Sequence, residues 1–159
     1  MLAQMMNQPL LISSLIGHAA KWHGDTEIVT RTLEGPIHRY DWRASEVRAK
    51  KFAQALARLG VEHGDRIGTI AWNTYRHVEA YYGIAGMGAV THTINPRLFP
   101  EQLEYIINHA HDQYLVIDTS FVDAVARMRD KFANVRGIIV FADKANMPSE
   151  DKLPGALCY

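Results

Sequence analysis

Between residues 66 and 141 the chain alternates two kinds of pattern. Short apolar runs at 66–72, 89–94, Tyr114–Asp118 and Gly137–Phe141 have the length of strands. The run Tyr114-Leu-Val-Ile is apolar on both faces, as a parallel strand covered by helices on each side must be. Between these runs, at 75–87, Pro100–Ala110 and 120–132, apolar residues return every three or four positions, the period of a helix with one buried face. Strand-helix-strand repetition predicts an α/β fold: a doubly wound, mostly parallel sheet flanked by helices, with right-handed crossovers.

The first third reads differently. Residues 10–23 carry Leu11, Leu15, Ile16 and Ala19 at helical spacing, and Gly24-Asp25 stops the pattern. Glu27–Arg31 and 37–40 predict the two arms of a β-hairpin around the turn Glu34-Gly35-Pro36. Asp41 is placed to cap a helix over 42–59, with Val47, Phe52, Ala55, Leu56 and Leu59 as its apolar stripe. Gly60 follows where a helix end favours a positive φ. From Ala142 the chain turns polar, with Pro148, Pro154 and Gly155, so 142–159 reads as a loop or exit segment.

Composition adds exclusions. A chain of 159 residues, 48% hydrophobic and 21% charged, can bury the core of one domain. Seventeen Lys and Arg balance seventeen Asp and Glu. Without a basic excess, nucleic acid and an anionic membrane surface are disfavoured as partners. The single cysteine, Cys158, has no partner within the chain, which suits a reducing cytoplasm. The apolar N-terminus has no Lys or Arg before Lys21 and is interrupted by Pro9, which argues against a secretory signal. No apolar run approaches the roughly 20 residues of a membrane-spanning helix.

Open parallel sheets bind ligands beyond the carboxyl ends of their strands. That rule selects Trp72-Asn73-Thr74, Asn95-Pro96-Arg97 and Asp118-Thr119-Ser120. Asn73 or Thr74 would begin a helix whose free N–H groups favour an anion, although simple helix capping is the leading reading for Asn73 and Asp118. Arg97, after a restraining Pro96, can grip a phosphate through its planar fork; a surface salt bridge is an equal alternative. Gly83, Gly86 and Gly88 run in the wrong order for a dinucleotide fingerprint, and predict close packing of helix on sheet and a tight turn instead. Of eight histidines, His109 and His111 are two apart and point apart on a helix, with no Cys or carboxylate at metal spacing. Trp22, Trp42 and Trp72 lack the basic neighbours of a nucleic-acid stacking platform.

Four motifs in order carry a family resemblance. His38-Arg-Tyr-Asp-Trp-Arg-Ala-Ser-Glu-Val47 resembles the first motif region of adenylate-forming enzymes. Ala55-Leu-Ala-Arg-Leu-Gly-Val-Glu-His-Gly-Asp-Arg-Ile67 and Ala71-Trp-Asn-Thr-Tyr-Arg-His-Val-Glu-Ala-Tyr-Tyr82 are similar to the two helix regions that follow. His92-Thr-Ile-Asn-Pro-Arg-Leu98 resembles bacterial medium- and long-chain fatty-acyl-CoA synthetases. The resemblance implies that residues 1–159 form the N-terminal subdomain of an AMP-binding domain. It implies a parent that joins a fatty acid to CoA through an acyl adenylate, using ATP and Mg²⁺ and releasing AMP and pyrophosphate. The family's Ser/Thr/Gly-rich phosphate loop, adenine-contacting segment, hinge and catalytic Lys have no counterpart in the sequence. The resemblance therefore assigns no catalytic residue here and implies that the chain alone is inactive. The CoA path is expected beside Asn95, Pro96 and Arg97. A homo-oligomer is expected, with the apolar residues 1–16 contributing to the contact. A stand-alone α/β interaction or dimerisation module without catalysis is the alternative.

Overall fold

The computed structural model describes residues 7–159. The apolar opening expected to aid self-association lies partly outside the described residues. Helix α1 (Ile12–Trp22) leads into a hairpin of β1 (Glu27–Arg31) and β2 (Ile37–Asp41), followed by α2 (Trp42–Arg58). Asp41 caps α2 as expected, its carboxylate accepting the Ala44 N–H at 2.8 Å, and Gly60 ends it at φ +78°.

The rest is a parallel sheet with its helices. Strands β3 (Arg66–Ile70), β4 (Val90–Thr93), β5 (Tyr114–Asp118) and β6 (Gly137–Phe141) alternate with α3 (Tyr75–Gly86), α4 (Pro100–Ala110) and α5 (Val122–Met128). A short β7 (Leu157–Cys158) closes the order β4-β3-β5-β6-β7, and every neighbouring pair is parallel. Ile67, Val116 and Ile139 face α2 and α3 through Phe52, Leu56, Ala80 and Ile84. Ile70, Leu115, Ile117 and Ile138 face α4 and α5 through Leu103, Ile107, Val122 and Val125. This is the doubly wound layer that the alternation predicts.

Several details differ from the sequence pattern. Strand β3 stops at Ile70 rather than residue 72, because the Trp72 N–H leaves the ladder to bond the Asp118 carboxylate. The helix read over 120–132 is broken into 3₁₀ turns at Thr119–Phe121 and Arg129–Lys131 around α5. Val47 is 48% exposed; the buried stripe of α2 is Ser45, Ala49, Phe52 and Leu56. Gly83 permits helix-on-helix rather than helix-on-sheet contact, since a Cβ there would lie 2.7 Å from the Ala49 carbonyl oxygen of α2. Residues 142–159 are not merely an exit segment. Leu153 is fully buried, Met147 and Ala156 pack on the α4–α5 core, and β7 adds to the sheet.

Candidate functional site

Strand order places the reversal of winding between β3 and β5, since α3 covers one face and α5 the other. Open parallel sheets favour ligands beyond the carboxyl ends at such a point. Here the ends of the two strands are stapled together. Asp118, 1% exposed, accepts the Trp72 N–H at 2.5 Å, and the Trp72 indole N–H donates to Ser120 Oγ at 3.0 Å. The indole also packs on Phe121 at a centroid distance of 5.3 Å. Asp118 thus clamps the neighbouring loop rather than capping its own. Burial raises its carboxyl to about 6, against the opposing pull of the Trp72 N–H. Thr74 is the N-cap residue of α3, but its side chain bonds no helix N–H, and its buried Oγ1 is unpartnered among the described residues. His77 reaches back from the first turn, Nδ1 to the Trp72 carbonyl at 3.2 Å and Nε2 to Thr69 Oγ1 at 3.1 Å. Nδ1 must donate to the carbonyl, so Nε2 accepts from the hydroxyl, and burial lowers the ring's proton affinity. Its two nitrogens are spent on the fold.

On the other side of β3, between the ends of β3 and β4, lies an open depression of about 420 Å³. Trp42, His77, Val78, Tyr81 and Tyr82 form its walls, with Asn73 and Thr93 at its edges. The volume and apolar lining are within the range of small-molecule sites. Two residues beyond Thr93 comes the loop singled out by sequence. Asn95 Oδ1 accepts the Arg97 N–H at 3.0 Å, and the Leu98 N–H bonds the Asn95 carbonyl at 3.3 Å. The turn presents Arg97 to solvent, and its guanidinium finds no hydrogen-bond or ion-pair partner among the described residues. Pro96 is half-buried below it. An unpaired, exposed guanidinium on a fixed turn suits a phosphate contact.

A second polar cluster lies under the hairpin. Glu79, fully buried on α3, accepts from Arg48 Nε at 2.7 Å and from the Tyr159 hydroxyl at 2.6 Å. Burial and that carboxylate push the Tyr159 hydroxyl up. Glu34, at the hairpin tip, pairs with Arg76 at 2.8 Å, and Arg76 also donates to the Phe141 carbonyl at 3.2 Å. Burial raises the Glu34 carboxyl, but its backbone bond and Arg76 outweigh that and leave it below the usual range. His38 stacks on Tyr75 at 3.9 Å. A third pair is His92 on β4 with the fully buried Asp112, Nδ1 to Oδ2 at 2.8 Å. Burial raises Asp112, while His92 works in the other direction. These contacts join elements 20 to 80 residues apart in sequence, so no local motif announces them. Tyr81 and Tyr82 were legible only as helix residues. No group of three or more His, Cys, Asp or Glu gathers to hold a metal ion among the described residues. The Mg²⁺ expected for an intact enzyme has no ligand set among them.

The profile of the AMP-binding enzyme family matches residues 16–157. A 3-methylmercaptopropionyl-CoA ligase from Ruegeria lacuscaerulensis is 49% identical over all 159 residues, which cover 29% of that protein. A medium-chain fatty acid–CoA ligase from Ectopseudomonas oleovorans is 42% identical over the same span, again 29% of its length. The fold matches coronafacic acid ligase from Pectobacterium brasiliense with a TM-score of 0.77 at 18% identity, covering 92% of this chain and 28% of that one. It matches the N-terminal domain of FACL13 from Mycobacterium tuberculosis with a TM-score of 0.76 at 20% identity, covering 83% and 34%. The chain spans less than a third of the length of both curated ligases.

Proposed function

The chain belongs to the AMP-binding enzyme family, and we propose that it forms the N-terminal part of a fatty-acyl-CoA ligase. The intact enzyme would join a fatty acid to ATP, releasing pyrophosphate and forming an acyl adenylate. The CoA sulfur would then attack the adenylate carbonyl, and AMP would leave. The observation that carries this reading is the match of all 159 residues to two CoA ligases at 42% identity or more.

This segment contributes scaffold and one ligand contact. The sequence has no Gly-rich phosphate loop, and a phosphate cradle needs the successive backbone N–H groups such a loop supplies. Chemistry at the α-phosphate therefore depends on residues outside this chain. The loop Asn95-Pro96-Arg97 is the proposed CoA contact, supported by the unpaired guanidinium on its Asn-braced turn. A homo-oligomer and a cytoplasmic location belong to the same proposal.

A chimera tests it. This chain replaces the matching segment of the Ectopseudomonas ligase, and pyrophosphate release and thioester formation are measured with medium-chain acids. Both half-reactions are expected to persist. The isolated chain is expected to release no pyrophosphate above a no-protein control. A chimera that melts like the parent ligase yet forms no acyl adenylate would overturn the assignment.

A further inference from the structure

Helix α1 has two apolar sides. Ile16 and Ala20 are buried against α2 and α3. Opposite them, Leu11 (57% exposed), Leu15 (59%) and Trp22 (64%) stand four and seven residues apart along one line, with Leu10 (92%) just before the helix; Ile12 (42%), four residues before Ile16, belongs to the buried line. His18 lies on the line of Leu11 and Leu15 and is also exposed. One apolar side is enough to dock a helix, and the second stays exposed among the described residues.

Charge around the stripe is one-sided. No acidic residue occurs before Asp25, and the flanking charge is Lys21, whose Nζ sits 4.8 Å above the Trp22 ring. The acids of the adjoining elements are paired: Glu46 with Lys50, Asp25 with Arg43, and Glu27 with Arg39. Whole-chain neutrality, which argued against an anionic surface, averages away this local bias.

The occupant follows from size and polarity. The four side chains Leu10, Leu11, Leu15 and Trp22 offer on the order of several hundred Å², short of the ~800 Å² per partner that a stable protein interface buries. An antiparallel second copy would also bring each Lys21 to the partner helix's N-terminus, where the partial charge is already positive. A bilayer surface asks less. It takes a stripe of Leu to the depth of the headgroup–acyl boundary, holds a tryptophan at that boundary, and prefers a cationic rim. At eleven residues the helix is too short to cross, and no described helix is long and apolar enough to do so.

We propose that α1 lies flat on anionic phospholipid, inserting Leu11, Leu15 and Trp22 with Lys21 at the headgroups. Such placement would hold this chain where an amphiphilic acid is concentrated, but the proposal rests on the helix and not on the assigned reaction.

The test is co-sedimentation of this chain with extruded vesicles of phosphatidylcholine alone and with one quarter phosphatidylglycerol. Binding is expected for the anionic vesicles, weakened by salt, with a blue shift of tryptophan emission that Trp22→Phe removes. The double variant Leu11→Gln/Leu15→Gln changes only exposed positions and should melt like the parent while binding at least tenfold more weakly. No binding to either vesicle overturns the proposal, as does equal binding by the double variant. Sedimentation as a dimer that the double variant dissociates, with vesicles ignored, would assign the stripe to a second copy instead.

Discussion

Asp118→Asn isolates the one carboxylate buried at the β3–β5 junction. Its folded-state value of about 6, against 3.8 for an unperturbed Asp, means that the folded chain binds this proton more tightly than the unfolded chain. The resulting stabilisation is complete below 3.8 and is lost as pH rises through about 6. Linkage over those two values gives roughly 2 kcal/mol between pH 7.5, where both states are ionised, and pH 4.5, where only the folded state is largely protonated. Asparagine keeps the shape and a carbonyl oxygen able to accept the Trp72 N–H, but binds no proton. Urea unfolding followed by circular dichroism, for parent and variant at both pH values, cancels the contributions of all other carboxylates. The parent should gain roughly 2 kcal/mol relative to the variant on acidification. A change below about 0.5 kcal/mol, or one of opposite sign, would mean that Asp118 is solvated or stabilised as an anion, and the burial argument would fail.

Two glycines invite the same substitution with opposite results. Gly83→Ala would place its Cβ 2.7 Å from the Ala49 carbonyl oxygen, backbone against backbone, and should cost about 1–3 kcal/mol in thermal or urea melts. Gly17→Ala meets only Glu46 Oε1 at 3.8 Å and should leave stability unchanged or raise it by about 0.5–1 kcal/mol, the helix preference of alanine. Glu79→Ala leaves the Tyr159 hydroxyl without its acceptor and a cavity inside α3; since Arg48 can turn its 43%-exposed side chain to water, a loss of about 2–3 kcal/mol is expected. Arg97→Ala should leave the melt within about 0.5 kcal/mol, yet raise the KM for CoA roughly tenfold in the chimeric ligase while sparing pyrophosphate release. An equal loss in both half-reactions would make Arg97 structural.

What the sequence disclosed and what it withheld divide along a physical line. Strands such as Tyr114–Asp118 and Gly137–Phe141 were readable because a central parallel strand must be apolar on both faces. Asp41 and Gly60 were readable because caps act within a few residues. Residues 142–159 looked polar because only Ala142, Met147, Leu153, Ala156 and Tyr159 reach the core, too scattered to form a pattern, and a two-residue strand has no periodicity to detect. The α2 stripe was misplaced at Val47 because two of its buried positions, Ser45 and Ala49, are small and carry no strong apolar signal; Ala49 is where Gly83 of α3 comes close. At the candidate site, the loop Asn95-Pro96-Arg97 carried a local turn signature. The walls supplied by Trp42, Tyr81 and Tyr82 did not, because they come from two helices that meet only in the fold.

The order β4-β3-β5-β6-β7 also constrains how the chain can fold as it is made. Strand β3 ends at Ile70, yet it lies between β4 and β5, and β5 is complete only at Asp118, 48 residues later. At roughly 5–20 residues per second of synthesis, β3 waits several seconds for its second neighbour. During that interval the hairpin, α1 and α2 can assemble from local contacts, but Ile67 and Ile70 have no completed sheet to bury them. An apolar strand left open on one edge is where nascent chains pair wrongly or recruit a chaperone. Because β3 is an interior strand made before both of its neighbours, the emergence of Tyr114–Asp118, the central strand, from the ribosome is the event that commits this domain to its fold.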